Sequence, residues 1–196
     1  MVSVNGRQMQ SIDFDTETKG AINFDNLAAM LPPGNHVVTL QMVGGSKMPY
    51  SFNAKYFAET PASSADCPLW LETKLAKDEV SEGEVVEVQV KVKNLSKDGQ
   101  AMSMAIVGIP AGLEVRHDKL KELVEAGRIA FYEVLGRDLA LYFREFAPNA
   151  EVSLSLDCVA EIPGQYTGPA SRAYLYYGDE HKNWRDGLFV KINPRQ

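Results

Sequence analysis

The stretch EVVEVQVKVKNL, residues 84–95, sets Val86, Val88, Val90 and Val92 at every second position with charged or polar residues between them. Successive side chains of a strand point to opposite faces, so this segment fits a sheet with one buried and one wet face. A second stretch, EVSLSLDCVAEIP, alternates in the same way through Val152, Leu154, Leu156, Cys158, Ala160 and Ile162. Shorter runs, GRIAFYEV, LALYFREF, SRAYLYYG and GLFVKIN, follow with turn signals about every 8 to 12 residues. The pattern predicts an all-β chain, folded as an antiparallel β-sandwich. One segment, HDKLKELVEAG, reads as a short inserted helix, with Leu120, Leu123 and Val124 on one face, Asp118 in its first turn and Gly127 as its stop. The Asp98-Gly99 pair, between the valine strand and AMSMAIVGI, predicts a hairpin.

Upstream, MVSVNG, QSIDFD, GAINFD, HVVTLQMVG and PYSFNAKYFA read as further strands and fill residues 1–59. The Pro-, Ser- and Ala-rich segment that follows has no periodicity. These features divide the chain into a smaller β domain at 1–59, a linker at 60–68 and the sandwich at 69–196.

The net charge of −6 and the lack of a basic stripe argue against nucleic acid as a partner. No apolar run approaches the roughly 20 residues needed to span a bilayer. The N-terminus lacks a signal-peptide layout, so export would require a leader outside this sequence. Cys67 and Cys158 lack metal-ligand spacing, and Cys158 reads as a small core residue; a disulfide between them is left open. His36, His117 and His181 are scattered, GGSKMPY at 44–50 lacks most P-loop positions, and Asp13 and Asp15 fit a wet strand face. We expect no catalytic, metal or cofactor-binding residues, and not an enzyme. Asn94-Leu95-Ser96 matches a glycosylation sequon.

In RAYLYYGDEH, strand parity puts Arg172, Tyr174 and Tyr176 on one face and Ala173, Leu175 and Tyr177 on the other. The small and apolar set is the expected core side, so Tyr177 is predicted to pack inside. Tyr174 and Tyr176 are predicted to form an exposed contact surface.

The order of features in VGIPAGLEVRHDKLKELVEAGRIAFYEVLGRDLALYF and SLSLDCVAEIPGQYTGPASRAYLYYGDEH resembles the C-terminal receptor-binding domain of alpha-2-macroglobulins and complement thioester proteins. LPPGNHVVTLQMVGG and PYSFNAKYF are similar to the stretch of those proteins that completes a CUB-like domain before it. The resemblance implies a macroglobulin receptor-binding-like sandwich preceded by a partial CUB-like domain. It also implies a secreted or extracytoplasmic, non-catalytic part of a thioester protein that traps proteases. The Cys-Gly-Glu-Gln thioester motif is absent from this chain. Partners implied are the thioester domain and other domains of the full-length protein, and target proteases through that protein.

Tyr174, Tyr176, Phe131 and Tyr132 fall where the family shields its thioester from water. The aliphatic AIVG at 105–108 stands where some complement members carry methionine. Lys119 and Lys121 lie on the helix that serves receptor binding in vertebrate members, although two apart they do not share a face. Without its preceding strands, the N-terminal piece is expected to self-associate, or to dock on the second domain, through Val38, Leu40 and Phe52. The alternative function is a stand-alone extracellular adhesion or ligand-binding module, since a sandwich by itself does not specify activity.

Overall fold

The computed structural model describes residues 1–54 and 57–195, and the chain divides into two compact units, Met1–Lys55 and Tyr56–Gln196. In the smaller unit Asn5 and Gly6 both have left-handed backbone, with φ of 50° and 79°. They make the two-residue turn between β1 (Val2–Val4) and β2 (Arg7–Gln10). β3 (Val38–Leu40) pairs with the other side of β1, giving the antiparallel order β2-β1-β3. Asn5 fastens β3 in place: its Oδ1 accepts the Val37 N–H at 2.9 Å, and its own N–H donates to the Val37 carbonyl at 2.9 Å. Val2 and Val4 are buried.

The predicted strands of this unit are largely corrected. QSIDFD beyond Gln10 and GAINFD form no strand, HVVTLQMVG contributes only β3, and a single 3-10 turn lies at Leu27–Met30. PYSFNAKYFA carries no strand in its described part; Lys55 and Tyr56 lie outside the described residues. Alternation marks residues that suit a pleated surface, but a strand forms only where another pairs with it. Leu40 and Phe52 remain exposed and Val38 is half-buried.

The larger unit runs β4 (Leu69–Leu75), β5 (Glu79–Ser81), β6 (Val85–Asn94), β7 (Ser103–Gly108), β8 (Leu113–Val115), α1 (His117–Glu125), β9 (Phe131–Leu135), β10 (Asp138–Phe143), β11 (Glu151–Ala160), β12 (Gly164–Thr167), β13 (Ser171–Leu175), β14 (Gly178–Arg185) and β15 (Phe189–Asn193). Two antiparallel sheets, β14-β13-β7-β10-β9 and β4-β6-β11-β8, make the sandwich. A third sheet, β12-β15-β5, includes one parallel pair, β15 with β5. The alternating valines of β6 and Leu154, Leu156 and Cys158 of β11 meet Ala105, Val107, Leu139, Leu141, Phe143 and Ala173 of the other sheet in one core. Leu120 anchors α1 in this core, and Gly127, with φ of 65°, ends the helix as read from the sequence. At the switch between β12 and β13 the chain is packed backbone on backbone: a Cβ on Gly108 would collide with the Pro169 carbonyl.

Two local readings change, and the open question of the cysteines closes. Asp98-Gly99 does not close a hairpin, because β6 pairs with β4 and β11 while β7 pairs with β10 and β13, so the turn crosses from one sheet to the other. A turn signal fixes a reversal, not a partner. Asn94 of the sequon is buried, and its amide donates to the carbonyls of Asp98 at 2.8 Å and Ala147 at 3.0 Å, so it is unavailable for glycosylation. Cys67 and Cys158 are separate free thiols, both buried, and burial pushes the Cys158 thiol up to about 12.

Candidate functional site

On the five-stranded sheet, the residues one position away from the core set line up across the strands. Phe131 pairs with Tyr142, Tyr142 with Met104, and Met104 with Tyr174, a row running through β9, β10, β7 and β13. The next row is Glu133, Ala140, Ile106, Arg172 and, on β14, Trp184. Met104, Ile106 and Ala140 form an apolar cluster of their own on this outer face, and the rings of Tyr142 and Tyr174 pack against it. Tall aromatic side chains thus roof over small or linear ones where no second sheet does so.

The rings adjoin one another. Phe131 and Tyr142 lie 5.9 Å apart between centroids, Tyr142 and Tyr176 6.4 Å, and Tyr176 and Tyr177 5.0 Å edge-on. Charged groups border them. Arg172 reaches Asp138 at 3.1 Å and places its guanidinium 5.4 Å from the Trp184 ring, while the Lys182 ammonium sits 5.1 Å from the Tyr174 ring. The Tyr142 hydroxyl donates to Glu133 Oε2 at 2.6 Å. That bond, together with desolvation and the carboxylate charge, pushes the Tyr142 phenol up to about 12. Burial raises the Tyr174 phenol, with Arg172 opposing it.

The sequence-derived residues separate into groups. Tyr174 and Phe131 stand in the outer row; Phe131 is 55% exposed, whereas Tyr174, expected exposed, is half-buried because its ring packs on the Met104 cluster. Tyr176 joins them from the β13–β14 turn at 45% exposure. Tyr132 points to the other face of β9, packs against the core and meets His117 Nδ1 through its hydroxyl at 3.2 Å. Tyr177 is corrected: it is 86% exposed, not core. β13 ends at Leu175 and pairs it with Gly178, so Tyr176 and Tyr177 form the turn and strand parity no longer applies to them. Lys119 is held by Glu122 at 2.9 Å, and Lys121 is exposed.

Sequence reasoning missed Tyr142, Met104, Ile106 and Trp184. The signal was available in LALYFREF, where parity sets Ala140 and Tyr142 opposite Leu139, Leu141 and Phe143. Met104 supplies a methionine immediately before the AIVG segment, whose Ala105 and Val107 face the core.

This surface suits contact rather than bond chemistry. Elsewhere in the unit Ser64 Oγ lies 3.0 Å from His181 Nδ1 and also accepts the Asp66 N–H. Among the described residues no carboxylate orients that imidazole, as nucleophile activation would require. No group of three or more His, Cys, Asp or Glu among the described residues is placed to hold a metal ion. No described helix is long and apolar enough to cross a membrane.

No family model and no curated protein matches the sequence. Solved structures do match in fold. The native Escherichia coli alpha-2-macroglobulin gives a TM-score of 0.55 at 16% identity, over 68% of this chain and 10% of that one. Salmonella alpha-2-macroglobulin reacted with methylamine gives 0.53 at 17% identity, over 68% and 10%. The E. coli portion spanning domain MG7 to the C-terminus gives 0.51 at 17% identity, over 68% and 25%, which places the likeness within the C-terminal region of that protein. The chain thus matches only about a tenth of the length of the two longer macroglobulins named here, and over 68% of its own length it carries a macroglobulin-like fold, all-β and antiparallel with one short helix.

Proposed function

We propose that this chain is a non-catalytic part of a larger, extracytoplasmic macroglobulin-like protein, and that the outer aromatic face of its five-stranded sheet docks on a neighbouring domain of that protein. The observation that carries the reading is the row Phe131, Tyr142, Met104 and Tyr174, extended by Tyr176: an apolar surface on the face of the sheet turned away from the sandwich core, with Phe131 and Tyr176 exposed. Contiguous patches of that kind mark interaction surfaces. Aromatic rings with polar tips suit a boundary that must exclude water on one side and stay hydrated on the other.

The fold likeness supplies the context. The matched E. coli proteins are described as activated by trypsin and by porcine elastase, and the Salmonella protein as reacted with methylamine. In this reading the face keeps water from a reactive thioester on the neighbouring domain, and the whole protein traps proteases.

The test compares this chain alone with the full-length protein. Hydroxyl-radical footprinting should oxidise Phe131, Tyr142 and Tyr176 less in the full-length protein. Tyr176→Ala should then shorten the time over which stored full-length protein still incorporates methylamine. Equal oxidation in the two contexts removes the docking reading. Protected rings with unchanged methylamine incorporation keep the docking and discard the shielding.

A further inference from the structure

The five-stranded sheet has two edges, β14 and β9. Along β14 the residues 60–67, expected from composition to be a linker, are fastened to the strand by side chains in place of a backbone ladder. Ser63 Oγ accepts the Trp184 N–H at 2.8 Å and donates to the Trp184 carbonyl at 3.3 Å. One hydroxyl therefore reaches both outward backbone groups of Trp184, whose carbonyl also accepts from Arg185 Nη1 at 2.8 Å. Two residues back along β14, the Ser64 N–H donates to the Lys182 carbonyl at 2.9 Å, and Ser64 Oγ meets His181. The ends are pinned by Thr60, whose hydroxyl donates to Asp186 at 2.6 Å, and by Cys67, which is buried with its thiol against the Ala173 carbonyl at 3.6 Å.

An uncovered edge is a template for another strand. We propose that residues 60–67 are a strap that closes the edge of β14 against pairing with β14 of a second copy of this chain. The sequence of β14 makes the second copy the fitting occupant. The groups occupied by the strap belong to Lys182 and Trp184, and an antiparallel pairing centred on Asn183 sets Lys182 of one copy opposite Trp184 of the other. A cation thereby faces an aromatic ring on both sides of the two-fold axis. At the two ends the exposed Glu180 meets Asp186, a like-charge contact that salt screens. The pairing therefore strengthens as ionic strength rises.

Ser63 is exposed, so Ser63→Ala removes the hydroxyl without opening the core. In the full chain, this change should speed hydrogen exchange of the Trp184 amide by about fivefold to tenfold, as expected for one lost hydrogen bond at a locally opening site. The amides of β13 should keep their rates. Ser63→Thr, which keeps the hydroxyl, should restore protection. In sedimentation velocity, Ser63→Ala combined with Ser64→Ala should self-associate more than the unaltered chain, and more so in high salt. Unchanged Trp184 exchange in Ser63→Ala overturns the strap. Faster exchange with no added self-association also overturns the proposal, because the segment would then close the edge without guarding it.

Discussion

On the inner face of the five-stranded sheet, Leu139, Leu141 and Phe143 lie buried beneath the second sheet; one residue away on the same strand, Ala140 and Tyr142 belong to an apolar cluster roofed, among the described residues of this unit, by side chains of its own sheet. Both faces are rich in apolar groups, yet one is two layers thick and the other only one. The difference is energetic. A group enclosed between sheets loses close packing on every side when truncated, and the cavity persists because neither sheet can collapse into it. A group roofed by partly exposed rings loses part of its contacts when truncated, and solvent fills the gap.

Leu141→Ala should give the largest effect and break the comparison if it does not. Complete burial predicts a loss of about 3 to 5 kcal/mol in denaturant unfolding. Tyr174→Ala should cost about 1 to 2 kcal/mol, since its half-buried ring keeps only part of the usual contribution of a core aromatic and leaves Met104 partly uncovered. Equal losses for the two would mean that the outer cluster is as enclosed as the core.

The hydrogen bond from Tyr142 to Glu133 sharpens the contrast through pH. The folded Tyr142 phenol stands at about 12 against an ordinary value of 10.0, so the folded state holds this proton more tightly than the unfolded one. Its stabilising contribution is therefore complete below pH 10 and is lost as pH rises through 12. Tyr142→Phe should lower stability at neutral pH by about 1 kcal/mol or less, the value for a hydrogen bond to a charged group reduced by solvent screening. The gap between the parent and this variant should narrow above pH 10. A gap that stays constant through pH 12 would mean that the bond does not form in solution.

The larger unit was legible because its strands are long enough for alternation to repeat. β6 and β11 each carry several consecutive core positions, and α1 has a complete apolar face with a glycine stop. The smaller unit was not, because its strands are three and four residues long and depend on pairing that alternation does not encode. Asn5-Gly6 was a stronger signal there than any apolar run, since both residues accept the left-handed backbone of a tight hairpin turn. Of the candidate surface, parity located Tyr174 and the family resemblance added Phe131 and Tyr176. Tyr142, Met104, Ile106 and Trp184 required cross-strand register, which brings them beside Tyr174 and Arg172 from positions scattered along the sequence.

Tyr177 should show the smallest effect, and it tests where parity ends. Side chains alternate only while the backbone stays extended, and β13 turns directly after Leu175. The ring of Tyr177 therefore meets Tyr176 edge-on in solvent instead of entering the sandwich beside Leu175. Tyr177→Ala should change unfolding free energy by no more than about 0.5 kcal/mol, as for a surface substitution away from any cap or core. A loss of about 3 kcal/mol or more, the range for a buried aromatic, would place the ring between the sheets and move the turn two residues toward the C-terminus. Ring-flip exchange broadening of the Tyr177 ring signals distinguishes the two arrangements independently of stability, since an exposed ring flips without steric hindrance and gives sharp averaged signals.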